Sequence, residues 1–249
     1  MEVHAHSHTA RKRWTHYLWE FLMLFLAVYC GFLAENFREH KIEKERAHQY
    51  INSFYEDLKN DTARISLLLQ YDEEKIRALN TMYNCYDTVL NDLRSTSCMG
   101  ILLKYSRSNQ GFVLTDRTLK QLANSGGYRL LNKEDADSII VYENMYKAYL
   151  DFQSTVFQQA QDNVRNTSNK LANFKTMASL QITTANIIND TTVIHLNGPL
   201  LFSEDKGLIN EWFNELALYL RTINGQHTII LRLKNKANEL INYYKNKLE

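Results

Sequence analysis

His4, His6 and His8 alternate near the start of the chain, and His16 follows them. In an extended segment, alternating imidazoles converge on one side, where neutral rings ligate zinc, nickel or copper. A working site also needs fixed geometry, and nothing in residues 1–13 supplies it. The expectation is therefore incidental metal affinity, with no cofactor. Asp57 and Asp61 share one helix face beside Glu56, and Asp72, Glu73 and Glu74 form a second acidic spot. Paired carboxylates bind calcium or move protons only with further ligands or a pocket, so both read as solvated faces. Ser125-Gly126-Gly127 lacks the strand and the Gly-Lys-Ser ending of a phosphate cradle and reads as a helix stop. The many tyrosines fall at core spacing rather than as a ligand box. With no nucleophile–base–acid set, no catalytic activity is expected.

The cysteines carry the remaining chemistry. Cys30 lies in an apolar run, where it packs as a small apolar residue. Cys85 and Cys98 belong to no Cys-x-x-Cys motif. A turn near residue 95 would set Cys98 opposite position 91, about two turns from Cys85, so a disulfide between them would be strained. An oxidising compartment would favour it.

The elements that position these groups are helices. Of 249 residues, 45% are apolar and 23% charged, and the net charge is +1. That composition excludes a disordered chain and gives no basic excess for nucleic acid. One proline and eight glycines are too few for the turns of sandwiches, barrels or doubly wound sheets. Residues 17–34 form an apolar run broken only by Glu20. Eighteen residues at about 1.5 Å each reach roughly 27 Å, close to the thickness of a bilayer core. Trp14, Tyr17 and Trp19 sit where headgroups would lie, and Arg11, Lys12 and Arg13 precede them as a positive-inside flank. Arg38, Lys41, Lys44 and Arg46 on the other side weaken a simple charge count, so the orientation rests on the shortness of the tail. A cleaved leader lacks its small-residue site, and a lipid-modified Cys30 would follow a tyrosine too bulky for that position. Glu20 reads as a carboxylate reaching toward the headgroups beside His16. Its other reading is a polar contact to a partner helix.

Beyond the span, residues 35–46 are charged and pair at helical spacing, Glu35 with Arg38 for example, as in a solvated stalk. A heptad seam follows: Ile51, Tyr55, Leu58, Ile65, Leu69, Ile76, Leu79, Tyr83, Tyr86, Leu90 and Leu93, interrupted by Thr62 and Asp72. The seam must bury itself against later helices or a second copy. Thr115 reads as the cap of a short helix ending at Gly126-Gly127, and Asn132 as the cap of a longer one using Ile139, Tyr142, Tyr146, Tyr149 and Val156. Ser203 reads as a third cap, before a helix through Trp212, Leu216, Leu220 and Ile223 that Asn224-Gly225 breaks or kinks. A last helix uses Ile230, Leu233, Ala237, Leu240, Ile241 and Tyr244. Residues 179–203 fit loop, helix or strand.

Two blocks carry a resemblance. The run from Trp14 to Glu35, and the segment Thr115-Asp116-Arg117-Thr118-Leu119 through Ser125-Gly126-Gly127 to Arg129-Leu130-Leu131, resemble an uncharacterised Bacteroidota family of single-span membrane proteins with a helical extramembrane domain. The resemblance implies a Gram-negative inner-membrane location and no activity. The chain is thus read as all-α: a cytoplasmic tail (1–13), a transmembrane helix (14–35) and an elongated antiparallel, coiled-coil-like helical bundle in the periplasm (36–249). Its expected role is a membrane-anchored interaction or scaffold protein. The expected contacts are with the bilayer through Trp14, Trp19 and Glu20, and with a protein partner or second copy through the seam or membrane helix. The alternative is a ligand-sensing bundle working through a partner membrane protein.

Overall fold

The computed structural model describes residues 14–93, 97–175 and 200–248. These are all-α. An isolated antiparallel bridge between Ala172 and Leu201 is the one extended pairing among them. His4, His6 and His8 lie outside the described residues, as does most of the 179–203 segment. Contacts divide the chain into two units, Met1–Tyr50 and Ile51–Glu249.

In the first unit, α1 (Trp14–Asn80, which continues into the second) begins with a stretch long and apolar enough to cross a membrane. Its most apolar window has a mean hydropathy of 1.8 and none of it is buried. Trp14 and Trp19 are exposed, and Glu20 accepts from His16 Nδ1 at 3.3 Å one turn away. Farther along, Arg38 and Glu35 form the expected pair at 2.5 Å.

In the second unit the later part of α1 packs with α2 (Met82–Asn91), α3 (Ser97–Arg107), α4 (Arg117–Asn124), α5 (Lys133–Phe152), α6 (Gln158–Leu171) and α7 (Lys206–Leu248). The seam is filled from within the chain: Ile51, Leu58, Ile65, Leu69 and Leu79 are buried, with Tyr55, Ile76, Tyr86, Leu90 and Leu93 partly so. Those buried residues are therefore unavailable to a second copy in this conformation. The buried stripe is also wider than the seam, taking in Phe54, Leu68 and Tyr71. Phe54 stands edge-on to Tyr142 of α5 and Tyr244 of α7, with centroids 6.1 and 6.0 Å away, so one ring ties three helices.

Tyr83 departs from the seam. At the end of α1 the Thr81 amide donates to Ala78 O at 3.2 Å, a tighter turn than the α-helix, and the Thr81 hydroxyl donates to the same oxygen at 2.7 Å. The helix resumes as α2 with its inward face advanced, and Met82, Cys85 and Val89 enter the core. Tyr83 is left 67% exposed. Cys85 and Cys98 form a disulfide with a Cα–Cα distance of 5.6 Å, so the expected separation of two turns is wrong. The reversal comes earlier than residue 95: α2 ends at Asn91 and α3 starts at Ser97, and Cys98 stands beside Cys85.

A second slip in phase separates α5 from α6. Gln153–Phe157 form a π-helical turn, which adds a residue to the helical repeat. Phe157 is buried where the uninterrupted spacing would have placed Val156, which is exposed. Gln161, Val164, Ser168 and Leu171 then carry the buried stripe. Gly225 does not break α7, which runs continuously from Lys206 to Leu248. A Cβ there would stand 3.2 Å from the Phe152 ring, so the glycine serves the close approach of α7 to the end of α5.

Two of the three proposed caps move. Asn132 caps α5 as expected, accepting from the Asp135 amide at 2.8 Å, and Gly126 takes the left-handed conformation (φ 65°) that ends α4. For α7 the cap is Asp205, whose Oδ1 accepts from Gly207 N at 2.7 Å, rather than Ser203. For α4 the cap comes from another helix: Asp57 of α1 accepts from the Thr118 amide at 3.3 Å.

Candidate functional site

Asp57 and Asp61, expected on a solvated face, are buried. They lie one turn apart on α1, facing the start of α4 and its preceding loop, where unpaired amides attract carboxylates. Asp57 accepts from the Thr118 hydroxyl at 2.5 Å and from Arg117 Nη2 at 2.8 Å. Asp61 accepts from Thr115 N at 2.9 Å and from the Tyr142 hydroxyl at 3.2 Å. Burial pushes the Asp61 carboxyl up, and these bonds partly oppose the shift. Every donor here belongs to the protein, so this arrangement locks α4 and α5 onto α1.

The second acidic spot divides. Asp72 is buried, whereas Glu73 is exposed and Glu74 half-buried. Both Asp72 oxygens accept from Gln226 Nε2 at 3.0 Å, and Gln153 in the π-helical turn donates to Gln226 Oε1. One turn along α1, Lys75 is 1% exposed. Its ammonium donates to the Tyr219 hydroxyl at 2.6 Å and to Ser108 O at 2.7 Å. The rings of Tyr219, Phe157 and Tyr71 surround it, with centroids 4.7, 5.5 and 5.7 Å away. Gln161 donates to the Tyr219 hydroxyl at 3.2 Å, and Tyr71 donates to Ser108 Oγ at 2.8 Å.

Desolvation dominates the electrostatics. It lowers the Lys75 ammonium to about 7, against the opposing field of Asp72. It raises Asp72 to about 6, against the Gln226 bonds and the field of Lys75. The Tyr71 phenol is pushed up to about 12 and that of Tyr219 higher still, both by burial. A lysine with such a lowered pKa is the type of group that serves as base or nucleophile. Here the cage encloses the ammonium, and no substrate reaches it in this conformation. The network's visible work is to join α1, the 108 loop, the π-helical turn, α6 and α7.

No known protein family, curated protein or solved structure matches this chain. What the chain can do is read from its own geometry. Among the described residues, no three His, Cys, Asp or Glu side chains gather to hold a metal ion. A groove of about 370 Å³ that reaches solvent lies between α2 and α7, lined by residues that include Tyr83, Tyr86, Asp87, Asn210, Phe213 and Asn214. Sequence reasoning missed both features. The seam did show Asp72 as a polar break, which is the one local sign of a buried polar partner. Lys75 gave no sign, because its partners lie at residues 108, 161 and 219.

Proposed function

We propose that this chain is a single-pass, membrane-anchored helical interaction protein of the bacterial inner membrane. In this reading the N-terminal residues are cytoplasmic and residues 36–249 form an elongated helical bundle in the periplasm. The observation that carries it is the start of α1, where Phe21, Leu24, Val28 and Phe32 are exposed on an apolar helix that no other element covers among the described residues. In water such a surface aggregates, whereas in lipid it is at its free-energy minimum. The Cys85–Cys98 disulfide supports an exported second unit, because such bonds persist in oxidising compartments. The buried groups Asp57, Asp61, Asp72 and Lys75 are engaged in joining helices, which favours association over catalysis. With the seam filled internally, association falls to the membrane helix and to the outer surface.

The test is in-cell photocrosslinking from Phe21 and Leu24, with native mass measurement of the full chain in detergent. A defined oligomer or a reproducible crosslinked partner is expected. A strictly monomeric chain that captures nothing but lipid would overturn the interaction reading.

A further inference from the structure

The groove between α2 and α7 has a definite chemical character. Tyr83, Tyr86 and Asp87 follow helical spacing on α2, and Asn210, Phe213 and Asn214 repeat it on α7, so each helix offers one face. The Tyr86 and Phe213 rings meet edge to face with centroids 5.1 Å apart, and the Tyr86 hydroxyl donates to Asn210 Oδ1 at 2.9 Å. Those contacts fix the inner wall. Tyr83 and Asp87 remain uncommitted: among the described residues, neither has a hydrogen bond or ion pair. Among the described residues, no lysine, arginine or histidine lines the groove.

The fold builds this wall deliberately. The tight turn at Thr81 rotates Tyr83 out of the core, and the disulfide holds Cys85 inward on the opposite side of the same helix. Aromatic faces present negative potential, and a carboxylate adds a full charge. An anion would be repelled by both. A neutral apolar molecule would strip water from Asp87 and return no partner.

We propose that this groove is a binding site for small organic cations, an alkylammonium group carried on an apolar body. The ammonium sits between the Tyr83 ring and the Asp87 carboxylate, and the apolar body lies along Tyr86 and Phe213. The site is independent of what the membrane helix contacts, so it stands or fails apart from the interaction reading.

The test uses the full chain in zwitterionic nanodiscs, with empty nanodiscs as reference. Calorimetric titration compares benzyltrimethylammonium with benzyl alcohol and benzenesulfonate. Saturable binding of the cation alone is expected. Tyr83→Ala and Asp87→Asn should each weaken it about two- to fivefold, the range of an exposed cation–π contact or ion pair. The remote exposed variant Asp137→Asn should leave it unchanged. Asp87→Lys, also a change at an exposed position, should abolish cation binding while keeping the melting temperature and helical spectrum. No saturable binding, equal binding of benzyl alcohol, or an unchanged affinity in Asp87→Asn would each overturn the proposal.

Discussion

Lys75 and Asp72 sit one turn apart in surroundings that penalise charge on either, and this has a consequence for stability. The Lys75 ammonium falls from its ordinary 10.5 to about 7 on folding. Its stabilising contribution is therefore complete above pH 10.5 and is lost as pH falls through about 7. Asp72 is raised from 3.8 to about 6, so its contribution is complete below pH 3.8 and is lost as pH rises through about 6. Together they predict a trough of stability between about pH 6 and 7, rising on both sides by at most about 1.4 kcal/mol per pH unit for each group. Denaturant melts across pH check this. Lys75→Met should remove the alkaline rise and Asp72→Asn the acid one. A variant that keeps its limb would show that the cage does not control that ionisation. The same residues mark the limit of sequence reading. A polar residue in an apolar seam announces that something pairs with it, but its partner, Gln226, lies 154 positions away.

At the scale of elements, two small departures from α-helical geometry decide which residues are core. The tight turn at Thr81 and the π-helical turn at Gln153–Phe157 each shift a buried stripe by one position, exposing Tyr83 and Val156. Helical periodicity was legible on both sides of each shift. The shifts themselves were not, since each trades an ordinary backbone hydrogen bond for better packing with another helix. The disulfide secures the region after the first shift. With its cysteines 13 positions apart in sequence, closing that loop stabilises the fold by about 3 kcal/mol. Reductant should lower the wild-type denaturation midpoint accordingly and leave Cys85→Ser/Cys98→Ser unmoved. An equal effect of reductant on both proteins would show that the bond bears no part of the stability.

For the whole molecule, the apolar start of α1 predicts membrane retention. Arginine in the centre of a span costs about 2.5–3.5 kcal/mol on insertion scales. Leu24→Arg combined with Leu26→Arg should therefore release the chain from the membrane fraction, whereas the same pair at Phe37 and Ile42 in the charged stretch should not. Retention of the first variant after carbonate washing would count against a lipid-embedded helix. The sequence by itself determined the all-α class, the apolar segment, the cap of α5 and the glycine that ends α4. These depend on neighbours within a few turns, where hydrogen-bond spacing and side-chain periodicity act directly. Only the tertiary structure decided that Asp57, Asp61, Asp72 and Lys75 are buried, that Gly225 sits under Phe152, and that Tyr83 faces a groove. The cost of burying a charge is set by donors and rings from distant helices, and no local pattern records which of them will arrive.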